Sequence, residues 1–172
     1  DIDYAQNVIW RYVKVLCEPL GIQVTKNDLA NKAPFLYYQP LSFQDTPMAH
    51  GRKNIVLVLG ASRPNKVYPV ERFVELVTAL DRDFGAHCVL IWGNEQELVA
   101  AQYVAQHASH ATVSPKLSLN DLKALLAQAD LVIGGDTGPA HCAWGLNVPS
   151  ITIFGNTPEY RNTWVSDINR VI

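Results

Sequence analysis

The chain has 172 residues, 48% of them hydrophobic and 17% charged, with a formal net charge of −2. That length fits one domain with an extension. The charge balance gives no electrostatic ground for a nucleic-acid partner, and no apolar run approaches the roughly 18–20 residues that span a bilayer. Cys17, Cys88 and Cys142 lie far apart and form neither a CxxC pair nor a metal spacing. They read as reduced, packed thiols, which suits a reducing cytoplasm. The first residue is Asp rather than Met, so the chain reads as processed or excised and its start says nothing about a signal peptide.

Residues 1–22 form a leading segment. Val8, Ile9, Tyr12, Leu16 and Leu20 recur at helical spacing, which predicts an amphipathic helix ending near Pro19–Gly21. Residues 23–53 carry Pro34, Pro40 and Pro47 with weak periodicity and read as a connecting segment with one short strand at most. From residue 54 to 172 the pattern is regular. "NIVLVLG" (54–60) is a β-branched and leucine run of the kind buried on both faces of a sheet. "YPVERFVELVTALDRDFG" puts Phe73, Leu76, Val77 and Leu80 on one helical stripe, stopped by Gly85.

"HCVLIWG" (87–93) is a second strand, "EQELVAAQYVAQHA" a second helix and "ATVSP" a short third strand. "SLNDLKALLAQA" is a third helix, with Ser118 and Asp121 in a capping-box pattern. "DLVIGG" is a fourth strand, "GPAHCAWGL" a short helix with Pro139 in its first turn, and "VPSITIFG" a fifth strand. Strands alternating with helices predict an α/β fold: a Rossmann-like, doubly wound parallel sheet with helices on both faces.

In such a sheet a ligand sits beyond the carboxyl ends of the strands, where strand order reverses. With order 3-2-1-4-5 that crevice lies between the first and fourth strands, under "GASRPNK" (60–66) and "GGDTGPAH" (134–141). The first loop offers Ser62, Arg63 and Lys66. The second offers Thr137, three glycines and the start of a helix with free N–H groups. Donors and a point cation gathered at one place suit a phosphate or diphosphate. Neither loop matches G-x-G-x-x-G or G-x-x-x-x-G-K-[ST], so the ordinary dinucleotide and P-loop readings are disfavoured.

Several assignments stay open on residue type alone. Asp136 reads equally as a helix N-cap or a ligand contact, and His141 equally as a buried, satisfied histidine or a contact. Glu95 or Glu97, just past the second strand, suits ribose hydroxyls or simply the helix dipole. Leu117 suits the face of a base or the core. No Ser-His-Asp spacing and no metal cluster redirects the reading.

The stretches "GASRPNKVYPVERFVELVTAL", "WGNEQE" and "SPKLSLNDLKALLAQADLVIGGDTGPAHCAWGLNVPSITIFGNTPE" resemble, in order, the C-terminal domain of the ADP-heptose:lipopolysaccharide heptosyltransferases, glycosyltransferase family 9. The resemblance covers about residues 54–160, and residues 1–22 resemble the helix and "LGI" segment that precede that domain. It implies one half of a GT-B enzyme, with the N-terminal acceptor domain absent and the end at "DINRVI" short of the family's closing segment.

On that resemblance Ser62 and Lys66 are diphosphate contacts, and Lys66 stabilises the leaving group. Asp136, Thr137 and Gly138 form the second phosphate loop, with His141 beside it. Glu97 is the ribose carboxylate and Leu117 lies beside adenine. Position 61 is Ala where some members carry a hydroxyl. The implied reaction is inverting transfer of heptose from ADP-heptose to Kdo-lipid A, with no metal and no cofactor. The catalytic base is expected in the missing domain, so no catalytic base is assigned here and the isolated domain is expected to be inactive alone. The implied setting is the cytoplasm, at the cytoplasmic face of the inner membrane, with peripheral membrane association of the full enzyme. A non-catalytic nucleotide-binding module and a GT-B transferase for another sugar nucleotide remain as alternatives.

Overall fold

The computed structural model describes residues 5–61, 66–155 and 158–172. The leading segment forms α1 (Val8–Cys17), capped by the Asn7 carboxamide oxygen, which accepts the Ile9 N–H at 2.9 Å. A 3-10 turn over Glu18–Leu20 ends it at Gly21, whose φ of 68° is the left-handed stop anticipated from the Pro-Gly pattern. Asn7 also donates to the carbonyls of Tyr160 and Thr163, at 3.0 and 2.7 Å, which ties α1 to the far end of the chain.

The connecting segment contains α2 (Lys26–Ala30) and no strand among its described residues. The helix is short, but Thr25 and Asp28 cap each other's backbone reciprocally. Across residues 37–42 the backbone bonds to the side chains of Asn120, Asp121 and Lys123 instead of to a neighbouring strand.

The sheet consists of β1 (Asn54–Val58), β2 (His87–Ile91), β3 (Ala111–Val113), β4 (Leu131–Gly135), β5 (Ser150–Ile153) and β6 (Asn169–Val171). All pairings are parallel, in the order β3-β2-β1-β4-β5-β6. The first five strands and their order follow the sequence expectation. The sixth, and the four-residue helix α7 (Glu159–Asn162) before it, were not anticipated. β6 is three residues long and is anchored by polar contacts: buried Asn169 donates to the Val148 carbonyl at 3.0 Å and to the Ser150 hydroxyl at 2.9 Å.

Helices α3 (Val70–Phe84), α4 (Glu95–His107), α5 (Leu119–Leu126) and α6 (Gly138–Leu146) cross between strands. Side-chain alternation along β1 splits the core. Ile55 and Leu57 pack with Phe73, Val77, Leu90 and Val104 on the α3/α4 face. Val56 and Val58 pack with Val89, Leu125, Leu126, Val132 and Leu146 on the α5/α6 face. Leu36, Leu41 and Met48 of the connecting segment complete that second cluster. Cys88 is fully buried in the first, and burial pushes its thiol up to about 12. It is a packed, inert thiol; Cys17 and Cys142 are free and half-buried.

Asp121 shows how the connecting segment is held. The Ser118 hydroxyl accepts the Asp121 N–H at 3.1 Å, which is the predicted N-cap. The Asp121 carboxylate also reaches the connecting segment. It accepts from the Ser118 hydroxyl at 2.6 Å and from the Ser42 N–H and hydroxyl at 2.8 and 3.0 Å. These donors favour the ionised form and hold the carboxyl below the ordinary aspartate range.

Two outcomes follow. Gly134 lies opposite Val58 in the β1–β4 register, and an added Cβ would sit 2.5 Å from the Val58 Cβ and 3.0 Å from its carbonyl oxygen. Neither atom can swing away, so Gly134→Ala is expected to cost about 1–3 kcal/mol, a fall in Tm of roughly 2–12 °C; an unchanged thermal melt contradicts this packing. Because the native carboxyl of Asp121 titrates below its unfolded value, its contribution is complete above the unfolded value and is lost as pH falls through the native one. The Tm gap between wild type and Asp121→Asn is therefore expected to be constant above about pH 5 and to shrink below the ordinary aspartate value of about 3.9. Melts from pH 7 down to 3 check this.

Candidate functional site

Strand order reverses between β1 and β4, and the loops leaving their carboxyl ends open a hollow of about 740 Å³. The end of β1 and the loop after it contribute Val58, Gly60, Ala61 and Lys66; the end of β2 and the turn after it contribute Ile91, Trp92, Gly93 and Asn94. The floor and far wall are Glu97 of α4 and Leu117, Ser118, Leu119 and Leu122 at the start of α5. The opposite wall is Asp136, Thr137, Gly138, Pro139 and His141 at the start of α6. Lys66, Glu97, Leu117, Asp136, Thr137, Gly138 and His141 thus share one hollow, as their loops suggested. Ser62 and Arg63 lie outside the described residues.

The central contact is an ion pair. Lys66 Nζ lies 2.8 Å from Asp136 Oδ2, and the two side chains are only 14% and 11% exposed. His141 Nε2 is 3.4 Å from the other carboxylate oxygen, with its ring 44% exposed. Asp136 is therefore not the N-cap that its position allowed; Thr137 holds that place. His141 is not a buried histidine, since it faces the hollow beside Asp136. The difference arises because Asp136 precedes the cap by one residue, which turns its carboxylate toward the β1 loop.

Of the longer helices, α3 and α6 begin without a side-chain cap, and α3 carries Glu71 in its first turn. Asn7 caps α1, Asn94 caps α4 and Ser118 caps α5, each accepting a first-turn N–H. Thr137 makes no such bond; its hydroxyl donates to the Gly135 carbonyl at 3.3 Å. No acid sits in the first turn of α6. Its N–H groups and positive dipole end therefore face the hollow without a side-chain cap, an arrangement suited to an anion.

At the other end Glu97 is tightly held. Its carboxylate accepts the Gly93 N–H at 2.7 Å and the Asn94 carboxamide at 2.7 Å, while Asn94 accepts the Glu97 N–H at 3.0 Å. Gly60 makes room for it, because an added Cβ there would lie 2.1 Å from Glu97 Oε1. Of the two acids considered for this place, Glu97 lines the hollow and Glu95 does not. Each bound oxygen keeps a free lone pair, so the carboxylate can accept from hydroxyls.

Sequence reading missed Trp92 and Asn94. The Trp92 indole N–H donates to the Ser114 carbonyl at 2.9 Å, which fixes the ring on the wall of the hollow. The only advance signal was their position at the end of a buried strand. Among the described residues no three His, Cys, Asp or Glu side chains gather as a metal site, and no helix is long and apolar enough to cross a membrane.

Comparison with known proteins places this arrangement. The model of glycosyltransferase family 9 (heptosyltransferase) matches residues 1–171. Lipopolysaccharide heptosyltransferase 1 of Campylobacter coli is 34% identical over 181 residues, covering 100% of this chain and 53% of that protein. Lipopolysaccharide heptosyltransferase 1 of Escherichia coli K12 is 34% identical over 102 residues, covering 59% of this chain and 32% of that protein.

Among solved structures, E. coli heptosyltransferase WaaC with ADP-2-deoxy-2-fluoro heptose superposes with a TM-score of 0.72 at 24% identity, over 99% of this chain and 50% of that one. The family 9 glycosyltransferase of Veillonella parvula DSM 2008 superposes with a TM-score of 0.74 at 20% identity, over 100% of this chain and 50% of that one. These likenesses show the GT-B half-fold. The chain spans about half the length of the Campylobacter coli relative. With a family match running from residue 1 to residue 171, the chain belongs to glycosyltransferase family 9, the heptosyltransferases.

Proposed function

We propose that this chain is the donor-binding half of a lipopolysaccharide heptosyltransferase and that its hollow takes ADP-heptose. The observation carrying this reading is that Lys66 and the uncapped start of α6 share one hollow with the fixed carboxylate of Glu97. Family membership and the WaaC structure solved with ADP-2-deoxy-2-fluoro heptose support the same ligand class.

The diphosphate lies between Lys66 and the N–H groups around Thr137 and Gly138. Glu97 accepts the ribose hydroxyls, and the adenine lies against Leu117. Asp136 holds Lys66 in place before the diphosphate arrives and shares its charge afterwards. In the whole enzyme a hydroxyl of the Kdo-lipid A acceptor attacks the anomeric carbon through an oxocarbenium-like state, with inversion. The anomeric C–O bond to the diphosphate breaks, and the electron pair leaves with ADP. A base supplied by the other half takes the acceptor proton. Lys66 and the α6 N–H groups stabilise the charge that builds on the leaving phosphate, a role open to preorganised donors without proton transfer.

Titration of the protein with ADP and with UDP tests the reading. ADP is expected to bind with shifts confined to residues lining the hollow, and UDP to bind more weakly because the smaller uracil ring covers less of the apolar Leu117 position. Lys66→Ala removes the cation and leaves the Asp136 carboxylate, with His141 beside it, facing the diphosphate. It is expected to abolish most ADP binding and, in the full-length enzyme, to lower turnover about a hundredfold or more. Near-normal turnover, or equal binding of both nucleotides, refutes the assignment.

A further inference from the structure

The connecting segment is more than a link between the leading helix and the sheet. From residue 32 to 42 it runs as a strap across α5 and α6. It grips the carboxyl end of α6: the Phe35 N–H donates to the Gly145 carbonyl at 3.0 Å, and the Lys32 ammonium reaches the Trp144 carbonyl at 2.5 Å and the Asn147 carboxamide oxygen. Phe35 meets the Trp144 ring edge to face at 5.6 Å. Leu36 lies so close to Gly145 that an added Cβ would come within 2.7 Å of it.

The strap then grips the amino end of α5. Asn120 and Gln39 exchange two hydrogen bonds, at 2.8 and 3.2 Å, and Asp121 takes both donors of Ser42. None of Phe35, Leu36, Gln39, Ser42, Asn120 and Asp121 lines the hollow. Yet the start of α5 forms its nucleoside wall and the start of α6 its diphosphate wall, so one strap clamps the two elements that would hold opposite ends of the nucleotide.

We infer that the strap fixes the separation between the nucleoside and diphosphate walls, with Ser42 and Asn120 as positioning residues for donor binding. The inference rests on the proposed function. Its physical content is that of a bivalent site. A ligand spanning both walls gains from their fixed spacing, whereas a ligand touching one wall does not. Loosening the strap therefore penalises the whole nucleotide selectively, which general loss of structure would not do.

The double variant S42A/N120A removes side-chain contacts at two strap anchors while leaving every residue of the hollow and the Ser118 cap intact. Affinities for ADP, adenosine and inorganic pyrophosphate are measured by NMR titration of wild type and variant. ADP binding is expected to weaken on the order of tenfold, with adenosine and pyrophosphate unchanged. Unchanged ADP affinity, or a parallel loss for all three ligands, overturns the positioning role while leaving the donor assignment standing. Failure of the wild type to bind ADP at all overturns the donor assignment, and this inference with it.

Discussion

Everything at the rim of this sheet depends on a contact between two loops that are 70 residues apart in sequence. Lys66 leaves the loop after β1, Asp136 leaves the end of β4, and their charged groups meet at 2.8 Å with little exposure to solvent. Such a pair forms only if β1 and β4 are neighbours in parallel register and their connections run to opposite sides. Breaking it by removing one partner is costly, because the remaining charge stays in a site largely shielded from water. The pair is thus both a product of the topology and a reason that the two loops keep one arrangement.

That arrangement is sustained by glycines and polar anchors as much as by apolar packing. Gly134 permits the approach of β4 to Val58, Gly60 admits the carboxylate of Glu97, and Gly145 admits Leu36 of the strap. Each is a close approach that a Cβ would prevent. Asp121 and Asn120 accept the backbone N–H groups of Ser42 and Gln39, and Asn169 donates to the Val148 carbonyl, which fixes segments with little regular pairing. The apolar clusters on the two faces supply stability, and these polar contacts settle where the loops and the connecting segment lie.

The division between what could and could not be foreseen follows the same line. Runs such as Ile55–Val58 and Val89–Ile91 are continuous because both faces of a parallel strand are buried, and that pattern is local. The loop residues Lys66, Thr137 and Gly138 were legible because topology alone says where such loops meet. β6 was not, since its three residues, Asn169–Val171, hold their place through a polar anchor and carry no apolar run. The strap was invisible for a related reason: Ser42 and Asp121 are 79 residues apart, and nothing in the proline-marked segment announces its partner. Asp136 could be placed but not oriented, because one residue of offset from the cap decides whether its carboxylate serves the helix or the lysine.

The electrostatics of the hollow carry the argument one step further. Lys66 and Asp136 cancel in formal charge, so among the described residues the hollow is not a bare cationic patch. What distinguishes the end formed by α6 is direction: an uncapped helix start and a lysine held at a fixed point by its carboxylate. On the proposed reading, a diphosphate gains by completing hydrogen bonds that the protein leaves open at the start of α6, more than by long-range attraction. That selects for a ligand of the right length and shape, since an anion too small to reach Glu97 uses only one end of the hollow. The net charge of the chain, −2, points the same way. On that reading recognition rests on how donors and acceptors are spaced along a cleft, and the segments that set the spacing matter as much as the groups that touch the ligand.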